Sequence, residues 1–196
     1  MKNVSRTISK LILAAGSLAC IPIGLAQTGT SVNEGDWPNI HGEISSQRYS
    51  PLDQINAENV AELEIAWRFS TKSFGPAADY VNPSTPIEVD GILYANVAST
   101  RNVVALDAIT GQLLWLYRYQ EGDRFDEAPR KGSGRGVSYW TDGDSQRIID
   151  VSPGYLMVSL DAKTGIPDPN FGNNGVVDLF VGVRNGDDPR YAYPEI

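Results

Sequence analysis

The sequence predicts an all-β fold, and three observations predict it. First, past residue 27 no amphipathic helix pattern longer than about two turns appears. The single candidate is the stretch 57–63, with Asn56 as its N-cap. Second, the chain's 19 glycines and 12 prolines are scattered between short runs of Val, Ile, Leu, Tyr and Trp, which is the punctuation of short strands joined by turns. Third, two segments are versions of one four-strand unit.

The first unit opens with Pro86-Ile87-Glu88-Val89 and turns at Asp90-Gly91, a dipeptide suited to a tight primed hairpin because both residues accept positive φ. It continues through Ile92-Leu93-Tyr94-Ala95 and Asn102-Val103-Val104-Ala105-Leu106-Asp107, turns again over residues 108–111, and ends on Gln112-Leu113-Leu114-Trp115-Leu116-Tyr117. The second unit runs Gly136-Val137-Ser138-Tyr139-Trp140, then residues 147–152 and 155–161, with a turn at 162–165. Asp107 and Asp161 are 54 residues apart, one blade plus an insertion. Units of four short strands repeated in this way predict a β-propeller, where radial packing protects most sheet edges.

The repeated turn can be read residue by residue. In Asp107-Ala108-Ile109-Thr110-Gly111 the carboxylate can accept from backbone N–H groups two or three residues on, and the Thr hydroxyl can hold the turn from the far side. Gly111 takes the positive φ that closes it. Trp115, four residues later, is then expected to dock flat between neighbouring blades. Asp161-Ala162-Lys163-Thr164-Gly165 repeats the pattern, with Pro169 at the position of the Trp.

The N-terminus is read apart from the fold. Lys2, Arg6 and Lys10 form a positive region, residues 11–25 an apolar run, and Gly24 and Ala26 a small-residue cleavage signature before Gln27. This predicts a signal peptide over residues 1–26, export to the periplasm, and a mature domain over 27–196. A membrane anchor would need a longer run without Gly16, Ser17 and Pro22, so no stable span is expected after cleavage. Cys20 has Ser17 three residues before it rather than a bulky aliphatic, which argues against a lipoprotein. Removing residues 1–26, with three Lys or Arg and no acid, takes the net charge from −8 to −11 and leaves no cysteine. The acidic balance argues against nucleic acid or an anionic membrane as partner. Absent thiols leave stability to the core rather than to disulfides.

Other local signals carry little. His41 is the one histidine, so neither a Ser-His-Asp triad nor a His-based metal cluster can be assembled, and it reads as a loop residue beside Gly42. Residues 182–188 hold Asn185, Asp187 and Asp188 without the closing Glu of a calcium loop. Gly132-Ser133-Gly134-Arg135-Gly136 lacks the Lys-Ser/Thr ending of a phosphate loop and opens a strand rather than a helix.

Taken in order, the segments resemble the quinoprotein dehydrogenases. Ala105-Leu106-Asp107-Ala108-Ile109-Thr110-Gly111, followed by Trp115, is similar to their tryptophan-docking motif. Trp37-Pro38, Arg48-Tyr49-Ser50-Pro51-Leu52 and the stretch 59–67 are similar to the opening segment that closes the family's ring. Arg135-Gly136-Val137-Ser138-Tyr139-Trp140 is similar to the family's Arg-Gly-Val-Ala-Tyr-Trp, and residues 171–179 to a segment of the glucose dehydrogenase branch. The resemblance implies an eight-bladed propeller, of which this chain would hold the closing strand and about two blades, an incomplete ring. It implies oxidation of a sugar, polyol or alcohol by pyrroloquinoline quinone with calcium. The electron acceptor would be a quinone or cytochrome c. The calcium ligands and the catalytic base are expected beyond residue 196, so residues 1–196 alone are expected to be inactive. Arg135 is the one cofactor-binding residue that carries over, as a planar fork suited to a carboxylate. Two departures accompany it: Pro83 stands where some members have a Glu, and residues 128–134 lack the adjacent cysteines of the alcohol dehydrogenases. The missing cysteines favour the sugar or polyol branch. The competing readings are a cofactor-free propeller scaffold of the cell envelope and an inactive truncated product. Arg135 separates the scaffold, which has no use for a buried carboxylate-binding arginine there.

Overall fold

The computed structural model describes residues 33–76 and 81–182. The expected signal peptide and most of the stretch 182–188 lie outside the described residues. Two antiparallel four-stranded sheets carry the fold. The first is β1 (Ile87–Val89), β2 (Ile92–Val97), β3 (Asn102–Asp107) and β4 (Leu113–Tyr117). The second is β5 (Ser138–Thr141), β6 (Gln146–Val151), β7 (Leu156–Asp161) and β8 (Val176–Asp178). Each strand pairs with the next in sequence, so each sheet is a meander.

Local chemistry explains the hairpins. Asp90 and Gly91 have φ of +53° and +76°, the primed turn that twists with its strands, and Val89 faces Ile92 across it. At the next hairpin Ala98 and Arg101 both adopt left-handed φ, +63° and +55°. The Asp-x-x-Thr-Gly turns are the same structure twice. The Asp107 carboxylate accepts from the N–H groups of Ile109 and Thr110 and from the Thr110 hydroxyl, at 3.1, 2.7 and 2.8 Å. Asp161 does so from Lys163, Thr164 and the Thr164 hydroxyl at 3.1, 2.8 and 2.8 Å. These bonds hold the Asp107 carboxyl below its usual range, the Thr110 hydroxyl contributing most.

Packing then joins the sheets. β3 is buried on both faces, so it reads as a continuous apolar run rather than an alternation. Val103 and Ala105 pack with Ile87, Val89, Tyr94 and Trp115 against Ile148, Val158 and Leu160 of the second sheet. Val104 and Leu106 face the other way, toward Trp67, Phe69 and Phe74. Trp115 is 9 % exposed and donates its indole N–H to the Ala162 carbonyl at 2.9 Å, on the turn of the second sheet. Gly165 lies beneath the ring, where a Cβ would come within 2.6 Å of it. Trp67 repeats the contact on the first sheet's own turn: it donates to the Ala108 carbonyl at 3.1 Å over Gly111. The expected docking of Trp115 is therefore present, and Trp67, on a segment that forms no strand among the described residues, makes the same contact with the turn of the first sheet.

Three elements differ from expectation. The stretch 57–63 is not an α-helix but a single 3-10 turn, Val60–Glu62, because none of its residues is buried and no apolar face supports a longer one. Asn56 still uses its side chain, accepting from the Glu58 N–H at 2.9 Å. A short helix α1 (Asp123–Glu127) lies between the sheets without a signature in the sequence. It forms around Arg124, 4 % exposed, which makes a two-armed ion pair with Asp178 and donates to the Gly154 carbonyl at 2.7 Å. The fourth strand of the second sheet does not follow its turn directly. The chain first makes an excursion through Pro169, and β8 then pairs Val176 with Val158.

Candidate cofactor-binding edge

The strands that begin the two sheets are tied together where they start. Arg135 lies three residues before β5, and its carbonyl accepts from the Thr85 N–H at 3.1 Å, two residues before β1. Gly136 presses on the same point, where a Cβ would meet the Thr85 carbonyl at 2.5 Å. The Arg135 side chain is exposed rather than buried as expected, because no other element of the described residues packs over it, and it makes no hydrogen bond or ion pair among them. Its backbone is fixed while its guanidinium has no partner among the described residues.

The loop that carries Arg135 is held from below by Arg101. Its Nε donates to the Gly132 carbonyl at 3.2 Å and its Nη1 to the Val151 carbonyl at 2.9 Å. The Gly132 N–H donates in turn to the Ser99 carbonyl at 2.9 Å. Gly134, at φ +73°, lies on the guanidinium: a Cβ there would fall 2.7 Å from the Arg101 Nε.

Beneath this loop a buried polar seam crosses from one sheet to the other. The Asp150 carboxylate accepts from the Tyr119 hydroxyl at 2.9 Å and from the Asn96 amide at 3.0 Å. Burial raises the Asp150 carboxyl to about 6, against the lowering effect of those two bonds and of the Arg101 charge. The Tyr119 hydroxyl is pushed well above its ordinary value by burial and by the Asp150 charge. The Asn96 Oδ1 and the Ser133 hydroxyl are buried without a partner among the described residues.

Pro83 is exposed and offers no side-chain donor or acceptor, while the neighbouring Ser84 hydroxyl already accepts from the Asn96 N–H at 3.2 Å. His41 sits on a loop, its ring against the Arg48 guanidinium at 3.0 Å. Residues 132–136 open β5 rather than a helix. The described residues bring no three His, Cys, Asp or Glu side chains together in a group that could hold a metal ion. No helix among them is long and apolar enough to cross a membrane.

Sequence reasoning reached Arg135 through resemblance and missed Arg101, Asn96, Tyr119 and Asp150. Arg101 reads as an ordinary turn residue between two apolar strands. Its acceptors lie 31 and 50 residues away, where no local pattern points.

Four-stranded meanders joined by an indole of one sheet on the turn of the next define a β-propeller. The chain belongs to the pyrroloquinoline quinone-dependent dehydrogenases: residues 37–195 match the glucose/ethanol/alcohol dehydrogenase β-propeller domain family. It is 36% identical over 172 residues to the dehydrogenase subunit of a quinone-type alcohol dehydrogenase from Gluconobacter oxydans, covering 81% of this chain and 21% of that protein. It is 33% identical over 169 residues to the quinoprotein glucose dehydrogenase of Escherichia coli, covering 79% and 21%. Among solved structures it resembles the quinohemoprotein alcohol dehydrogenase of Comamonas testosteroni, with a TM-score of 0.58, 29% identity and coverage of 78% and 20%. A europium-containing methanol dehydrogenase gives a TM-score of 0.55 at 28% identity, covering 68% and 22%. The chain thus spans about a fifth of the length of the relatives it matches. Alcohol and glucose dehydrogenases match at similar identity.

Proposed function

We propose that these two sheets are the first two blades of a periplasmic quinoprotein dehydrogenase that oxidises a sugar, polyol or alcohol. In this reading residues 1–26 direct export and residues 27–196 belong to one propeller domain. The segment around Trp67 supplies the outer strand that closes the ring. The observation that carries the functional reading is Arg135, an exposed guanidinium without a partner among the described residues, on a fixed backbone where the first strands of two blades meet.

The residues fit an anionic cofactor. Pyrroloquinoline quinone carries three carboxylates, and when bound it accepts the two electrons of the oxidation. Arg135 can meet one carboxylate with two parallel N–H bonds, which orients the planar ring as well as binding it. The bond to Thr85 and the loop bonds at Gly132 keep the arginine backbone in place before the cofactor arrives, so less ordering is needed on binding. The missing cysteines near Arg135 favour a sugar or polyol over a simple alcohol. Calcium is expected on residues outside those described, and the acceptor is expected to be a quinone or cytochrome c.

Cofactor titration of the full-length dehydrogenase tests the reading. A charge-assisted hydrogen bond of this kind contributes on the order of 1.5–3 kcal/mol. Arg135→Lys keeps the charge but loses the fork and should weaken binding by about tenfold. Arg135→Ala should weaken it further, with apo melting nearly unchanged. Unaltered affinity in Arg135→Ala would return the residue to the role of an exposed loop side chain.

A further inference from the structure

We propose that Arg101 is a positioning residue for the cofactor: its guanidinium clamps the loop 132–135 to the end of β6 and so sets where the Arg135 side chain is presented. The proposal rests on the reading of Arg135 given above.

The clamp joins segments distant in the chain. Arg101 leaves the β2–β3 hairpin with φ +55° and sends one donor to Gly132 in the loop and another to Val151 at the end of β6. A planar guanidinium fixes the separation and direction of two carbonyls at once, which an ammonium on a flexible stem cannot do. Gly134 lies on the guanidinium closely enough to leave no room for a side chain, so the loop is shaped to this arginine. Two further bonds complete the fixation, Gly132 to Ser99 and Thr85 to Arg135. Asp150, next to Val151, places an acidic group near the clamp; burial raises its carboxyl, and the Arg101 charge opposes that rise. Residues 132 and 135 are therefore pinned by three bonds, while the exposed guanidinium of Arg135 makes none among the described residues. Pre-organisation of this kind improves affinity by removing the cost of ordering the loop on binding.

The test is a double-mutant cycle read by pyrroloquinoline quinone titration of the full-length dehydrogenase in calcium, with apo melting curves beside it. Arg101→Lys should weaken cofactor binding by about tenfold in the wild-type background and by less than about twofold in an Arg135→Ala background, because its effect acts through Arg135. Equal weakening in both backgrounds would overturn the proposal and leave Arg101 a general stabiliser of the fold. No weakening by Arg101→Lys, with Arg135→Ala strongly impaired, would overturn it while the reading of Arg135 stands. Unchanged affinity in Arg135→Ala would overturn both. Should Arg101→Lys fail to fold, Gly134→Ala supplies the second variant, since its Cβ displaces the loop from the same guanidinium. It should show the same loss and the same dependence on Arg135, and additive behaviour would sink the idea.

Discussion

Removing the indole at the joint between the sheets is the most demanding test of the fold. In Trp115→Ala a side chain 9 % exposed disappears from the seam between the sheets, together with its N–H bond to the Ala162 carbonyl. Truncating a buried tryptophan costs about 3–5 kcal/mol through lost transfer energy and the cavity left behind. The hydrogen bond adds little beyond this, because the Tyr94 hydroxyl donates to the same carbonyl at 3.2 Å and keeps it satisfied. The reciprocal change attacks the joint from the other side. Gly165→Ala would place a Cβ 2.6 Å from the Trp115 ring on a residue at φ +69°, so the ring must move off the turn. Urea unfolding followed by circular dichroism should show both variants destabilised, with Trp115→Phe between Trp115→Ala and wild type. The double variant Trp115→Ala, Gly165→Ala should lose less than the sum of the two, because without the indole there is nothing for the new methyl to strike. A Trp115→Ala cost below about 1 kcal/mol, or strictly additive effects, would refute the docking.

Two further outcomes follow from the seam and the N-terminus. Because burial raises the Asp150 carboxyl to about 6, its protonated form is favoured by the fold. Its contribution to stability is fully present below the unfolded value of 3.8 and is lost as pH rises through about 6. Stability should therefore rise on the order of 1 kcal/mol from pH 8 to pH 5, and Asp150→Asn should flatten that slope. Melting curves across this range check it, and equal slopes in both proteins would remove Asp150 as the cause. N-terminal sequencing of exported protein should begin at Gln27, whereas a start at Met1 or a lipid on Cys20 would contradict export in soluble form.

What could be read in advance depended on how far apart the interacting residues lie. The Asp107 and Asp161 turns were legible because each makes its bonds within five residues, and a pattern that short survives in sequence. The first sheet was legible almost strand for strand, since its turns are brief and Asp90-Gly91 demands a hairpin. β8 was not, because Val176–Asp178 is only three residues long and an excursion through Pro169 separates it from its turn. The helix α1 has no side-chain cap and only five residues, and what holds it is Arg124 reaching Asp178, 54 residues away. The docking of Trp67 was missed because no repeated turn precedes it to mark the blade it completes. At the candidate site the same rule holds. Arg135 was found because its neighbours in sequence resemble a family stretch, but the residues that support it, Thr85, Ser99, Arg101 and Val151, lie in separate turns and strand ends.

The indole joint also has a direction in time. At both joints the tryptophan precedes its acceptor in the chain, by 41 residues for Trp67 and 47 for Trp115. A chain emerging from the ribosome must therefore present each large aromatic before its seat has been made. During that interval the ring is open to water, or to a chaperone that holds extended chains. At each joint the docking waits on residues made later in the chain, so the two tryptophans gain their seats only after the turns at Ala108 and Ala162 are synthesised.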